Sequence, residues 1–245
     1  VAEYGELRDI MILTAHQPQY LPGLRLFDKI ARADVFVYLD TVPMESSGFE
    51  NRNKIKTAQG WQWLTVPVKR EEYQKKPIAK VEIDNTTNWK RKHWRTLQNN
   101  YGNARHFMPP FAGFYRLDFQ YLSELNLTML YALCGWLGID KKIELASQHD
   151  FVGHKSDLVL DMCKKLGATK YIFGAKGRDY AKVEDFEREG IELEFQDFKH
   201  PTYSQLHGEF MPNMSVIDLL MNEGPRSMEY LMNCGPKSLD ILVNK

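Results

Sequence analysis

The chain has 245 residues, enough for one large domain or two small ones with a real core. Lysine plus arginine equals aspartate plus glutamate at 32 each, so no overall charge draws it to DNA or to an anionic membrane. A hydrophobic fraction of 43% with strong local periodicity excludes a disordered chain, and no apolar run approaches the roughly 18 residues of a membrane span, so a cytoplasmic protein without a signal peptide is expected.

Residues 1–10 read as an extension, and a single α/β domain is expected over 11–245, with no internal repeat or low-complexity linker to divide it. Met11–Thr14 is a short apolar run of strand type. HQPQYLP follows at once, and its Pro18 and Pro22 forbid a helix and stiffen the backbone. Leu24, Phe27, Ile30 and Ala31 recur at helical spacing, and Val35–Leu39 returns as a second apolar strand ending at Asp40. Strand, polar loop, helix, strand is a βαβ unit. It places the loop and Asp40 at the carboxyl ends of two parallel strands, the ligand edge of an open α/β sheet. There His16, Gln17, Gln19 and Tyr20 supply an imidazole, two amides and a phenol, either aimed at a ligand or satisfying the backbone of a proline-shaped turn.

Beyond Asp40, Ser46-Ser47-Gly48 and Ala58-Gln59-Gly60 read as turns, the second dividing a polar run from the alternating strand 61–68. The polar run carries Asn51, Arg52, Asn53, Lys54 and Lys56, groups that suit a phosphate, a carboxylate or sugar hydroxyls, or else line a solvated hairpin edge. Residues 85–117 contain no acidic residue and six lysines or arginines. Their centre predicts a helix capped by Asn88 and stopped by Gly102, with Trp89, His93 and Leu97 on one face. Its basic side fits a nucleotide diphosphate, a lipid-linked pyrophosphate or tRNA, or is a solvated face over two core tryptophans. Leu125, Met129, Leu133 and Leu137 make 122–137 a core helix that Gly138 ends, and Cys134 belongs to that core.

The C-terminal part repeats the α/β alternation. A helix capped by Ser156 stops at Gly167, a strand covers 170–173, and Gly174-Ala-Lys-Gly177-Arg178 follows before a further helix and the strand 191–195. A glycine loop after a strand can offer backbone N–H groups to an anion, although any tight turn would use two glycines so spaced. His200-Pro-Thr-Tyr203-Ser-Gln205 echoes the opening loop, so His16 and His200 are paired as candidate proton carriers facing one cleft. Ser215 with Asp218 opens a helix in capping-box style, and the tail after Gly224-Pro225 reads as packing helix. Cys134, Cys163 and Cys234 are odd in number, far apart and without a CxxC pair. They predict neither a disulfide framework nor a zinc site, no metal or other cofactor is evident, and no basic neighbour activates a thiol.

HQPQYLP, followed by FDKIARADVFVYLD and NRNKIKT, resembles the opening of the WbqC-like family, and the glycine-arginine-tyrosine stretch and the HPxYxQ pattern extend the likeness along the chain. That family occurs among genes for bacterial O-antigen and other surface polysaccharides. The resemblance implies a transferase of an acyl or aminoacyl (glycyl-type) group to an amino sugar or sugar nucleotide, with a small-molecule substrate and tRNA as a weaker candidate donor. It assigns catalysis to His16, His200 and Asp40. Binding falls to Gln17, Tyr20, Asn51, Arg52, Lys56, Gly174, Arg178, Tyr203 and Gln205. Ser46-Ser47 stands where family members commonly carry a Lys-Arg pair, Phe49 where they carry Trp, and Gly23 where a Trp is frequent, which puts the grip on a charged ligand in doubt. Two alternatives stay open: an ATP- or CTP-dependent nucleotidyl or adenylyl transferase, whose strand–His loop–helix–strand order the first unit shares without an HxGH motif, and a non-catalytic sugar-nucleotide-binding protein. The fold expected is a mostly parallel open sheet with helices on both faces and a β-hairpin insertion after the first βαβ unit.

Overall fold

A computed structural model describes residues 10–45, 47–71 and 73–233; Ser46, Cys234 and residues 1–9 lie outside it. Five strands form one parallel sheet: β1 (Ile12–His16), β2 (Val35–Tyr38), β5 (Lys142–Leu145), β6 (Lys170–Phe173) and β7 (Glu192–Phe195), in the order β5-β2-β1-β6-β7. β3 (Arg52–Thr57) and β4 (Gly60–Thr65) pair separately as an antiparallel hairpin. The parallel sheet and the hairpin insertion are as the sequence predicts. β5 is the strand the pattern misses: its four residues, KIEL, are too short to stand out after the long helix before them.

Period-two alternation sends the strands' side chains into two cores. Leu13, Ala15, Val37, Tyr171 and Phe173 face α4 (Ser156–Leu166) and α5 (Val183–Arg188). On the other face, Phe36 and Tyr38 join α1 (Leu24–Arg32), the hairpin, α2 (Trp89–Tyr101), α3 (Leu122–Leu137), α6 (Val216–Glu223) and α7 (Ser227–Met232). α1 is buried nearly all round: Leu26, Phe27, Asp28, Lys29 and Ile30 are consecutive and all inside. One expected cap is used otherwise, and a second holds without its capping box. Ser156 is the first helical residue, and its hydroxyl accepts from the Lys182 N–H at 3.0 Å. Ser215 does cap α6, accepting from Ile217 N–H, but Asp218 does not reach back to complete a capping box, because its carboxylate is bonded elsewhere.

Candidate functional site

The order β5-β2-β1-β6-β7 reverses direction at β1: the chain winds outward through β2 and β5 on one side, and through β6 and β7 on the other. In open α/β sheets the ligand crevice lies outside the carboxyl ends of the strands at such a reversal. Here the ladder between β1 and β6 ends early, at Leu13↔Tyr171. The carbonyls of Ile12 and His16 accept from Asp34 and Leu39 N–H on the β2 side, whereas that of Met11 accepts from Thr169 and Lys170 on the β6 side. By alternation the Ala15 carbonyl faces β6. Its partner is not a backbone group of β6 but the Lys29 ammonium, at 3.0 Å. Across the gap, the Ile172 carbonyl takes the Thr14 hydroxyl at 2.8 Å. Side chains have replaced the ladder, and the two strands part where β1 delivers His16.

His16 closes β1 and is partly buried. Its Nδ1 donates to the Gln17 carbonyl at 2.9 Å, so Nε2 carries the lone pair. Burial, then the nearby Lys29 charge, push the imidazole down to about 4, so it is neutral at physiological pH. His200 repeats this local geometry: its Nδ1 donates to the Pro201 carbonyl at 2.8 Å. Its Nε2, however, is enclosed without a partner, and the ring packs on Phe198, Tyr203 and Phe210. Burial lowers His200 as well. Among the described residues, no hydrogen bond or ring contact joins the two histidines; His16 ends β1, whereas His200 lies beyond β7, with β6 between those strands.

The remaining expected residues divide into three groups. Asp40 ends the β2 segment but turns toward β5, accepting from the Ser147 N–H at 2.9 Å and the Ser147 hydroxyl at 2.7 Å. Tyr20 is fully buried, its hydroxyl 2.8 Å from both His93 Nδ1 and the Tyr115 hydroxyl. Tyr203 and Gln205 converge on Asp218, at 2.8 and 2.7 Å, with the Tyr101 hydroxyl also at 2.8 Å. Desolvation raises the Asp218 carboxyl despite those three donors and the Lys56 charge nearby. Lys56 itself is buried and donates to the Gly208 and Glu209 carbonyls. Gly174 and Arg178 flank β6, but the segment is a short 3-10 turn rather than an open loop. Arg178 lies 5.2 Å over the Phe195 ring and donates to its carbonyl.

The opening loop is held from several sides. Tyr20 N–H bonds the Phe49 carbonyl, the Asn53 amide bonds the Leu21 carbonyl at 2.6 Å, and Val216 N–H bonds the Pro22 carbonyl. This clamp keeps Leu21 at φ 46°, a left-handed conformation that costs a non-glycine residue about 1–3 kcal/mol. Gln17 and Gln19 then line a narrow crevice with Tyr38 and Asn126, whose Oδ1 is buried and unpartnered. The hairpin adds an outward face. Asn51 closes its base on the Val66 carbonyl, Arg52 stacks 4.7 Å over Trp63, and Lys54 lies 4.2 Å over Trp61, with Trp61 48% and Phe49 43% exposed. Sequence reasoning missed Lys29, Asn126 and the structural role of Asp218. No local signal marked Lys29, because α1 also carries Arg25, Asp28 and Arg32. Cys134 and Cys163 are buried free thiols pushed up to about 12, unfit as nucleophiles. Among the described residues no cluster suits a metal ion, and no helix is long and apolar enough to cross a membrane.

A mixed α/β protein with a mostly parallel sheet and a separate antiparallel hairpin is thus defined, with polar groups gathered at the sheet's carboxyl edge. The chain belongs to the WbqC-like protein family, whose model matches residues 17–230. It is similar to the uncharacterized protein Rv1507c of Mycobacterium tuberculosis (strain ATCC 25618 / H37Rv), with 34% identity over 219 residues, covering 87% of this chain and 94% of that protein. No solved structure matches it.

Proposed function

We propose that the protein is an enzyme of bacterial surface-polysaccharide biosynthesis that transfers an acyl or aminoacyl group to an amino sugar or sugar nucleotide. The observation that carries this reading is His16 at the reversal point, its Nδ1 locked and its Nε2 lone pair free to accept a proton. In the proposed step the acceptor nitrogen or oxygen attacks the acyl carbonyl carbon, and His16 Nε2 takes the acceptor's proton. The bond between acyl carbon and donor then breaks, and the proton passes to the departing group. Gln17 on the same edge and the Gly174–Arg178 turn at β6 orient the sugar and its anionic groups. Arg52 and Asn51 stay candidates on the hairpin. Tyr20, Asp40, Lys56, Tyr203 and Gln205 serve the fold in this reading, each bonded to protein groups, and His200 would serve as a second proton carrier only with its Nε2 uncovered.

The test is acyl transfer from a set of acyl and aminoacyl donors to UDP-, GDP- and dTDP-amino sugars, followed by mass spectrometry. Wild type is expected to form product, and His16→Ala, with an unchanged melting temperature, at least about 100-fold less, the usual worth of a positioned base. Equal turnover by His16→Ala would overturn the assignment. A second reading, nucleotidyl or adenylyl transfer, is favoured by one specific observation: the strand order places β1 at a reversal of the type that binds nucleotide phosphates. Pyrophosphate release from ATP or CTP with Mg²⁺, without acyl transfer, would establish it instead. Sugar-nucleotide binding without any turnover would point to a non-catalytic role.

A further inference from the structure

α1 carries two adjacent buried ions with opposite fates. Asp28 is paired, with Arg32 at 3.5 Å and with the Gln196 amide at 2.6 Å. Lys29 is 3% exposed; among the described residues no carboxylate lies within ion-pair distance, Asp28 beside it acts only at longer range, and the hydrogen bond it makes is to the Ala15 carbonyl. A buried ammonium without a counter-ion is costly, and a protein keeps one where something else completes the pair. Its place is specific. Ala15 precedes His16, and its carbonyl faces the point where β1 and β6 stop pairing, so the ammonium lies where the two strands that flank the reversal part. Its charge acts directly on the His16 ring.

We propose that Lys29 is the anion-binding group of this site and that its missing counter-ion is a phosphate or diphosphate of the small-molecule ligand. One bond to Ala15 leaves two of the three ammonium hydrogens for phosphate oxygens. This inference rests on reading the carboxyl edge as the site, and it supplies the substrate class: a phosphorylated ligand whose reacting group lies beside His16 while its phosphate enters the β1–β6 gap. It does not depend on which bond the enzyme makes.

The test follows melting temperature and calorimetric binding with pyrophosphate, inorganic phosphate and sulfate at constant ionic strength. Four proteins are compared: wild type, Lys29→Met, His16→Gln and the surface control Lys92→Met. Pyrophosphate is expected to stabilise wild type, His16→Gln and Lys92→Met, with at least tenfold weaker binding to Lys29→Met. Without anion, Lys29→Met is expected to melt at or above wild type, because an uncompensated buried charge has been removed. Equal pyrophosphate binding by Lys29→Met, or none by wild type, would overturn the proposal. Should Lys29→Met fail to fold, wild type alone decides. Burial lowers the Lys29 ammonium to about 8, so affinity for sulfate, whose own charge is constant, should fall about tenfold per pH unit above that value. An affinity flat to pH 10 would count against Lys29. Absence of acyl transfer by wild type, with pyrophosphate binding intact, would sink the catalytic reading and leave this one standing.

Discussion

At the scale of single residues, His16 and His93 show how the same burial serves different ends. Both imidazoles are lowered to about 4, chiefly by desolvation. His16 stands at a sheet edge with a free lone pair, whereas His93 is locked among Tyr20, Trp89 and Tyr115. The linkage has a definite sign. The unfolded chain takes up these protons near pH 6.5 and the folded chain only near 4, so stability is lost as pH falls through that window. Urea midpoints measured from pH 7 to pH 4 should therefore decline, and His93→Gln should flatten the decline. A second residue-scale expectation concerns Gly177. A Cβ there would lie 2.6 Å from the Phe173 ring, so Gly177→Ala should cost about 1–3 kcal/mol in denaturant unfolding. The sequence offered that glycine as part of an anion loop, and the geometry supplies a sufficient packing reason for it.

At the scale of elements, Asp218 ties the 201–211 segment to α6, α2 and the hairpin. Asp218→Ala would remove the acceptor of two tyrosine hydroxyls and one acceptor of the Gln205 amide, with Lys56 close by, and should cost about 3 kcal/mol or more. Tyr203→Phe, which removes the bond to Asp218 and a long one from the Gln205 amide, should cost about 1 kcal/mol. Denaturant melts of the two variants check both values. The HPxYxQ pattern was legible as a motif, but its tyrosine and glutamine point inward, and only the fold reveals the carboxylate they meet. The elements themselves were largely legible: α3 runs from Leu122 to Leu137 and β6 from Lys170 to Phe173, as periodicity and glycine stops required. Lys29 was not. Its side chain rises from a helix face whose burial depends on strands and helices far along the chain, and local spacing carries no trace of that.

At the scale of the whole molecule, the parallel sheet was readable from the alternation of short apolar runs with helices, while the strand order was not. Pairing between distant strands is a property of the folded topology, and the short β5 gave little pattern to place. That order has a consequence in time. β2 and β5 are neighbours, yet residues 39–141 lie between them, and β1 waits for β6 beyond residue 169 before gaining its second partner. Contacts this remote form late, because loop closure must precede them, whereas the backbone bonds within the helices and hairpin of the insertion are local. Pulse-labelled refolding should therefore find amides of α2, α3 and the β3–β4 hairpin protected before those of β5 and β6, and simultaneous protection would refute that order. On this timetable the gap that holds Lys29 comes into being only with the final pairing of β1 and β6, so a chain that has already folded its hairpin and helices has the His16 loop in place and no site.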